Sequence, residues 1–187
     1  MKNIENEYVL LVNICEEQLH TYEFVNPIAD ILRAKKINFF VRSYKQIGAS
    51  DLDKCSKVII CGTSLSDFEY LTNISFFSWL SDFDKPVLGI CGGMQIMGLV
   101  FGGKLKRKTE IGLFSELFTS SFLGLSGKTD VYHLHNAYID FSLLTDFKVF
   151  AGGKVSQAVQ HLTKPFYGVL FHPEVRQKKL LEQFILI

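Results

Sequence analysis

Pro86-Val87-Leu88-Gly89-Ile90-Cys91-Gly92-Gly93-Met94-Gln95-Ile96-Met97-Gly98-Leu99-Val100-Phe101 is the stretch that decides the fold. Its opening, residues 86–90, is a short apolar run with the pattern of a strand buried on both faces. Beyond Cys91 the chain reads as a helix to about Phe101, stopped by the pair Gly102-Gly103. Cys91 itself stands at the junction. A strand that turns abruptly into a helix pushes one side chain clear of the sheet, and flanking glycines keep Cβ atoms out of the crowded turn. The helix N-terminus there favours a thiolate, and the Gly92 N–H is free to face a developing oxyanion.

Outward from this junction, residues 7–14 (EYVLLVNI) and 57–61 (KVIIC) repeat the buried-strand pattern, and 37–41 (INFFV) reads as another strand. A helix is expected from Asn26-Pro27 to Lys35, carrying Val25, Ile28, Ala29 and Leu32 at helical spacing. A further one is expected from Ser66 to about Leu80, with Trp79 as core packing. Strands alternating with helices argue for a doubly wound, mainly parallel α/β sheet. From about residue 103 the texture changes. Residues 131–135, 147–153, 154–162 and 166–171 are strand-like with glycine-containing turns, so the C-terminal half is expected to add antiparallel strands. The tail, 175–187, reads as an amphipathic helix with Leu180, Leu181, Phe184 and Ile185 on its apolar face.

The 187 residues, 48% of them hydrophobic, are enough for one well-buried core, so a single domain over 1–187 is expected. A net charge of +1 provides no global field for nucleic acid or an anionic membrane. The basic cluster Lys104, Lys106, Arg107 and Lys108 reads as a solvated strand and turn, with docking of an acidic partner as the alternative. No apolar run has the length of a membrane span, and the opening MKNIENEY is too polar for a signal peptide, which points to the cytosol. The cysteines at 15, 55, 61 and 91 have neither zinc-site nor disulfide-scaffold spacing, so each is a buried thiol unless its surroundings say otherwise.

A cysteine nucleophile needs a base. Phe171-His172-Pro173-Glu174-Val175 comes after a strand-like run; Pro173 biases His172 to an extended backbone, and alternation then places His172 and Glu174 on one side. A carboxylate that orients an imidazole, and an imidazole that takes a thiol proton, form the orienter-base-nucleophile arrangement of a triad. Gly89, Cys91, Gly93 and Gln95 would co-occur by chance in fewer than roughly one chain of this length in a thousand.

The segments GICGGMQ and YGVLFHPEV, with the strand-helix order around them, resemble the class I, triad-type glutamine amidotransferases. The resemblance implies a flavodoxin-like sheet, Cys91 as nucleophile, His172 as general base and Glu174 as its orienter. It also implies oxyanion N–H groups near Gly62 and Gly92, and substrate contacts from Gln95, His135 and Asn136. No metal or organic cofactor is implied. The glycine loop reads Cys61-Gly62-Thr63-Ser64, with Thr63 where many relatives carry a second glycine. In Tyr132-His133-Leu134-His135-Asn136-Ala137, His135 matches the family histidine, Asn136 replaces glycine and Leu134 replaces a polar residue. Glu110-Ile111-Gly112 matches a structural Glu-x-Gly position. Taken alone, His133-x-His135 suits a metal pair, but the sequence brings no third ligand into view.

The chemistry implied is hydrolysis of glutamine, with ammonia passed to a synthetase. No phosphate-binding Gly-x-x-x-x-Gly-Lys loop is present in the sequence, so an ATP-dependent synthetase on a separate polypeptide is expected, and residues 164–175 are most similar to detached glutaminase subunits of GMP synthase. Other ammonia acceptors, such as those of the anthranilate or carbamoyl phosphate systems, stay open, as do two other classes: a non-catalytic regulatory or binding subunit, suggested by Thr63 and Leu134, and a γ-glutamyl peptidase.

Overall fold

The structure, a computed structural model, describes residues 8–187, so the polar opening of the chain lies outside the described residues except for Tyr8. The chain runs through β1 (Tyr8–Asn13), α1 (Gln18–Phe24), α2 (Asn26–Ala34), β2 (Phe39–Ser43), α3 (Ala49–Lys54), β3 (Cys55–Ile60), α4 (Glu69–Thr72), β4 (Val87–Ile90) and α5 (Gly92–Val100). It continues with β5 (Leu105–Phe122), β6 (Leu125–Ile139), β7 (Phe147–Gly152), β8 (Ser156–His161), β9 (Phe166–Val169) and α6 (Lys178–Ile185).

A seven-stranded sheet is ordered β2-β1-β3-β4-β9-β8-β7, and β5 and β6 form a separate antiparallel hairpin. Strands β2, β1, β3, β4 and β9 are parallel neighbours, while β8 and β7 extend the sheet antiparallel. This is the doubly wound sheet with added antiparallel strands that the alternating pattern implied. The apolar runs are buried on both faces because alternate residues feed two cores. Val9 and Leu11 join α2 and α6 on one side, whereas Leu10 and Val12 join α5 and the segment around Phe77 on the other. Leu180, Leu181 and Phe184 seat α6 on the first core. No helix among the described residues is long and apolar enough to cross a membrane.

The helix expected over 66–80 is instead α4 followed by a 3-10 helix, Ile74–Ser81. The break has a local cause. The Thr72 hydroxyl and the Asn73 amide both donate to the Glu69 carbonyl, at 2.9 and 3.0 Å, competing with the backbone bond that would continue the α-helix. Trp79 packs edge-to-face on Phe83 at the margin of the second core, as core packing requires. Helices α1 and α3 were not legible in the sequence. In α3 the Asp51 carboxylate accepts from the Gly48 N–H at 3.1 Å and supplies the start signal from inside the helix. Three of the four basic residues have a partner: Lys106 pairs with Asp140 at 3.0 Å, Lys108 with Glu110 at 2.6 Å, and Arg107 lies over the Phe68 ring.

Candidate active site

Cys91 caps α5 with φ +48° and ψ −104°, a conformation that a non-glycine residue adopts at a cost of about 1–3 kcal/mol. Both sides of the peptide hold it there. Its N–H donates to the Val169 carbonyl at 2.8 Å, extending the β4–β9 ladder, and its carbonyl accepts from the Gln95 N–H at 3.1 Å, starting the helix. Gly93 lets α5 begin almost in contact with the sheet: a Cβ there would lie 2.3 Å from the Ile60 carbonyl oxygen and 2.9 Å from the Ile60 Cβ. Gly92, the first residue of α5, has an N–H without an intrahelical acceptor.

His172 and Glu174 lie just past β9. The His172 N–H donates to the Tyr132 carbonyl of β6 at 2.9 Å, and its Nδ1 donates to Glu174 Oε1 at 2.7 Å. Both side chains are buried, the Phe24 ring lies beside the imidazole, and Nε2 has no other hydrogen-bond partner. Gly62 sits between base and cysteine: a Cβ built there would lie 2.7 Å from His172 Cε1 and 3.5 Å from Cys91 Cβ. Burial acts to lower the His172 pKa, but the Glu174 carboxylate and Cys91 together outweigh it and raise the value above the ordinary range. The Cys91 thiol donates to the Leu134 carbonyl at 3.5 Å. Burial pushes the other thiols up, Cys15 to about 11, with Cys55 and Cys61 also raised, so they stay protonated at neutral pH.

The residues expected to meet substrate line a cleft of only about 10 Å3, bounded by Thr63, Tyr70, Cys91, Gln95, His135 and Asn136 among others. That is room for one water at most. Gln95 is not free: its Oε1 accepts from the Tyr70 hydroxyl at 2.7 Å and its Nε2 donates to the Ala137 carbonyl at 2.8 Å. The Asn136 amide donates to the Leu65 carbonyl at 3.0 Å, tying β6 to the glycine loop across the cleft. Thr63 lines the cleft with its hydroxyl engaged. Its hydroxyl donates to Asp67, which also accepts from the Glu16 N–H at 3.2 Å and contacts His20 Nδ1 at 2.8 Å. Thr63 is not among the residues with positive φ, so its β-branch fits the loop without backbone strain.

His135 faces a carboxylate that no local pattern in the sequence places there. The hairpin register sets Glu110 opposite His135 and Gly112 opposite His133, and the donor atoms of Glu110, His133 and His135 all lie within 4.8 Å of one another. The expectation that the histidine pair has no third partner is therefore corrected. Tyr70 and Asp67 at the cleft, and Glu110 beside His135, were the neighbours that sequence reasoning missed; each arrives from a segment whose placement depends on long-range packing.

A strained cysteine between a parallel strand and a helix, beside a carboxylate-held imidazole, defines a doubly wound α/β protein with a cysteine–histidine–carboxylate centre. Residues 21–185 match the family model "Glutamine amidotransferase class-I". The chain is 30% identical over 139 residues to a glutamine-hydrolysing GMP synthase subunit of Thermoplasma acidophilum, covering 69% of this chain and 68% of that one. It is 39% identical over 101 residues to the protein of that description from Pyrococcus abyssi, covering 50% and 53%. With several such relatives the match spans about half of their length. A crystal structure of a protein assigned as a GMP synthase subunit, from Thermoplasma acidophilum, superposes with a TM-score of 0.84 at 24% identity, covering 97% of this chain and 93% of that one. A glutamine amidotransferase from Thermotoga maritima gives 0.72 at 21% identity, covering 97% and 82%. These two structures share the fold. The chain belongs to the class I glutamine amidotransferase family.

Proposed function

We propose that this chain hydrolyses glutamine through Cys91, His172 and Glu174 and delivers the ammonia to a separate ATP-dependent synthetase of the GMP synthase type, in the cytoplasm. The observation that carries the reading is the buried His172–Glu174 pair, 2.7 Å apart, against a cysteine held at positive φ on a helix N-terminus. Cys91 Sγ attacks the side-chain amide carbon of glutamine after its proton has passed to His172, whose raised pKa favours holding it. The oxyanion is stabilised by the Gly92 N–H and by the loop at Gly62. Protonated His172 then gives its proton to the leaving nitrogen, ammonia departs, and a γ-glutamyl thioester remains. Water deprotonated by the same imidazole attacks that thioester, releasing glutamate and restoring the thiol. Relatives described as glutamine-hydrolysing subunits of GMP synthase support a partner polypeptide, with residues 1–187 acting as one glutaminase domain.

The Thr63 hydroxyl is taken up by Asp67, which weakens one of the two features, Thr63 and Leu134, that suggest the regulatory alternative. The narrow cleft favours an enzyme that opens when its partner docks, because the Asn136–Leu65 bond must part before a glutamine can enter. The test is exposure to 6-diazo-5-oxonorleucine, a glutamine mimic that alkylates an activated cysteine, with intact mass and peptide mapping as the readout. One adduct on Cys91, blocked by excess glutamine and absent from Cys91→Ala, is the expected result with a candidate synthetase present. Absence of any adduct both with and without the synthetase, the protein remaining folded, overturns the proposal.

A further inference from the structure

Beyond the cysteine centre, the β5–β6 hairpin gathers a second set of groups. Along β6 alternate residues from Val131 to Ile139 are buried, which puts His133 and His135 on the inner face, at 0% and 1% exposure. A register shift between Arg107 and Glu110 sets the Glu110 side chain beside them. Glu110 Oε2 lies 3.3 Å from His133 Nδ1 and 3.0 Å from His135 Nε2. Even so, none of the four imidazole nitrogens makes a hydrogen bond. They are near the carboxylate without being aimed at it, which is how ligands stand around a shared centre, not how a donor faces an acceptor. Buried polar groups left without a hydrogen bond are costly, so two such histidines against one carboxylate are placed to gain from a shared bound partner.

We propose that Glu110, His133 and His135 form a binding site for a divalent cation of the zinc class, adjoining the Cys91 cleft. Two imidazoles and a carboxylate are a borderline-soft donor set that suits zinc and its neighbours and disfavours magnesium. With metal–ligand bonds of about 2.0–2.1 Å and tetrahedral angles, donor atoms stand roughly 3.3 Å apart. The two spacings to Glu110 Oε2 match this, and the wider limit of 4.8 Å for the set as a whole leaves the imidazoles to close on the ion by side-chain rotation.

An outer layer is already in place. Lys108 Nζ holds the other Glu110 oxygen at 2.6 Å, Gln157 Nε2 donates to Oε2 at 3.2 Å, and Glu116 Oε1 stands 3.4 Å from His133 Nε2, the nitrogen left over for a carboxylate partner. The Phe114 ring stacks on His133 at 4.5 Å and fixes its plane. An open polar cavity of about 340 Å3, lined by Lys108, Glu110, Glu116, Lys154, Gln157 and the glycines of the β7–β8 turn, adjoins the carboxylate side of the site. His135 also lines the cleft, and Leu134 between the two histidines accepts the Cys91 thiol, so an ion here rigidifies the wall against which substrate would bind.

The experiment is calorimetric titration of the chelator-stripped full chain with Zn2+, with metal content measured after dialysis and Co2+ absorption as a coordination probe. One equivalent of Zn2+, a tetrahedral-type Co2+ spectrum and no binding of Mg2+ are expected. Glu110→Gln and His133→Gln should each lose the equivalent, and Glu116→Gln should weaken it about 10- to 100-fold. Cys91→Ser should retain it, with circular dichroism and melting confirming that each variant is folded. If one ligand variant fails to fold, the other and Glu116→Gln decide. Absence of saturable Zn2+ binding overturns the site, as does binding that persists undiminished in the folded variants or vanishes in Cys91→Ser.

Discussion

Replacing Gly62 by alanine tests the site at its tightest point. The new Cβ would stand 2.7 Å from His172 Cε1 and 3.2 Å from Nδ1. Carbon atoms settle at about 3.5 Å or beyond, so the imidazole must retreat by about 0.8 Å. It is not free to do so, because Nδ1 is bound to Glu174 at 2.7 Å and the Phe24 ring lies beside it at 5.3 Å between centroids. A misplacement near 1 Å in a reacting group costs about 100-fold in rate, or about 2.7 kcal/mol of barrier. Overpacking should cost a further 1–3 kcal/mol, roughly, in stability. The assay is glutamine hydrolysis together with the rate of Cys91 alkylation by the diazo mimic, with denaturant unfolding as the stability control. Thr63→Ala is the comparison, since its side chain points to Asp67 and its loss should leave the imidazole in place. A folded Gly62→Ala protein that hydrolyses glutamine at nearly the parent rate, with unslowed alkylation, would refute the reasoning that this glycine is the gap into which the base fits.

Glu174→Gln should lower kcat by roughly 10²- to 10⁴-fold, because the amide cannot orient or stabilise the imidazolium as the carboxylate does. It should also change the pH profile of stability. Burial alone would lower the His172 pKa, whereas Glu174 and Cys91 raise it, so the native state binds a proton that the unfolded chain releases near pH 6.5, as a rough reference. That contribution is complete below the unfolded value and is lost as pH rises through the native one; denaturant titrations across this alkaline range should show the falling slope in the parent and a flatter one in Glu174→Gln. With the synthetase docked and the cleft open, limited alkylation with iodoacetamide at neutral pH should modify Cys91 before Cys15, Cys55 or Cys61, which burial holds protonated, as peptide mapping would report. Tyr70→Phe should cost about 1–3 kcal/mol in urea unfolding, since it leaves the Gln95 carbonyl oxygen buried without its donor; an unchanged midpoint would mean that solvent replaces the hydroxyl.

The parts of the molecule that rest on local pattern were readable in the chain itself. Residues 86–101 could be little other than a buried strand running into a helix, because five apolar residues, a glycine-flanked turn and a helical apolar face succeed one another without a gap. The same is true of β1, of α2 with its Asn26-Pro27 start, and of α6, whose apolar face is written at helical spacing. Cys91, His172 and Glu174 could be named for the same reason: an elbow and a His-Pro-Glu turn are short-range features. Segment 66–80 misled because its apolar residues satisfy helical spacing on every side, while the hydrogen bonds of Thr72 and Asn73 that end α4 are a matter of rotamer choice. The order of strands, and hence the meeting of Cys91 with His172 across Gly62, came only from the pairing of β4 with β9. Tertiary structure also decided that Thr63 turns toward Asp67, that Asn136 closes the cleft on Leu65, and that Glu110 stands against His133 and His135. These contacts depend on hairpin register and loop orientation, where a shift of one residue carries a side chain to the opposite face; the local sequence determined which chemical groups were available, and long-range packing determined which of them meet.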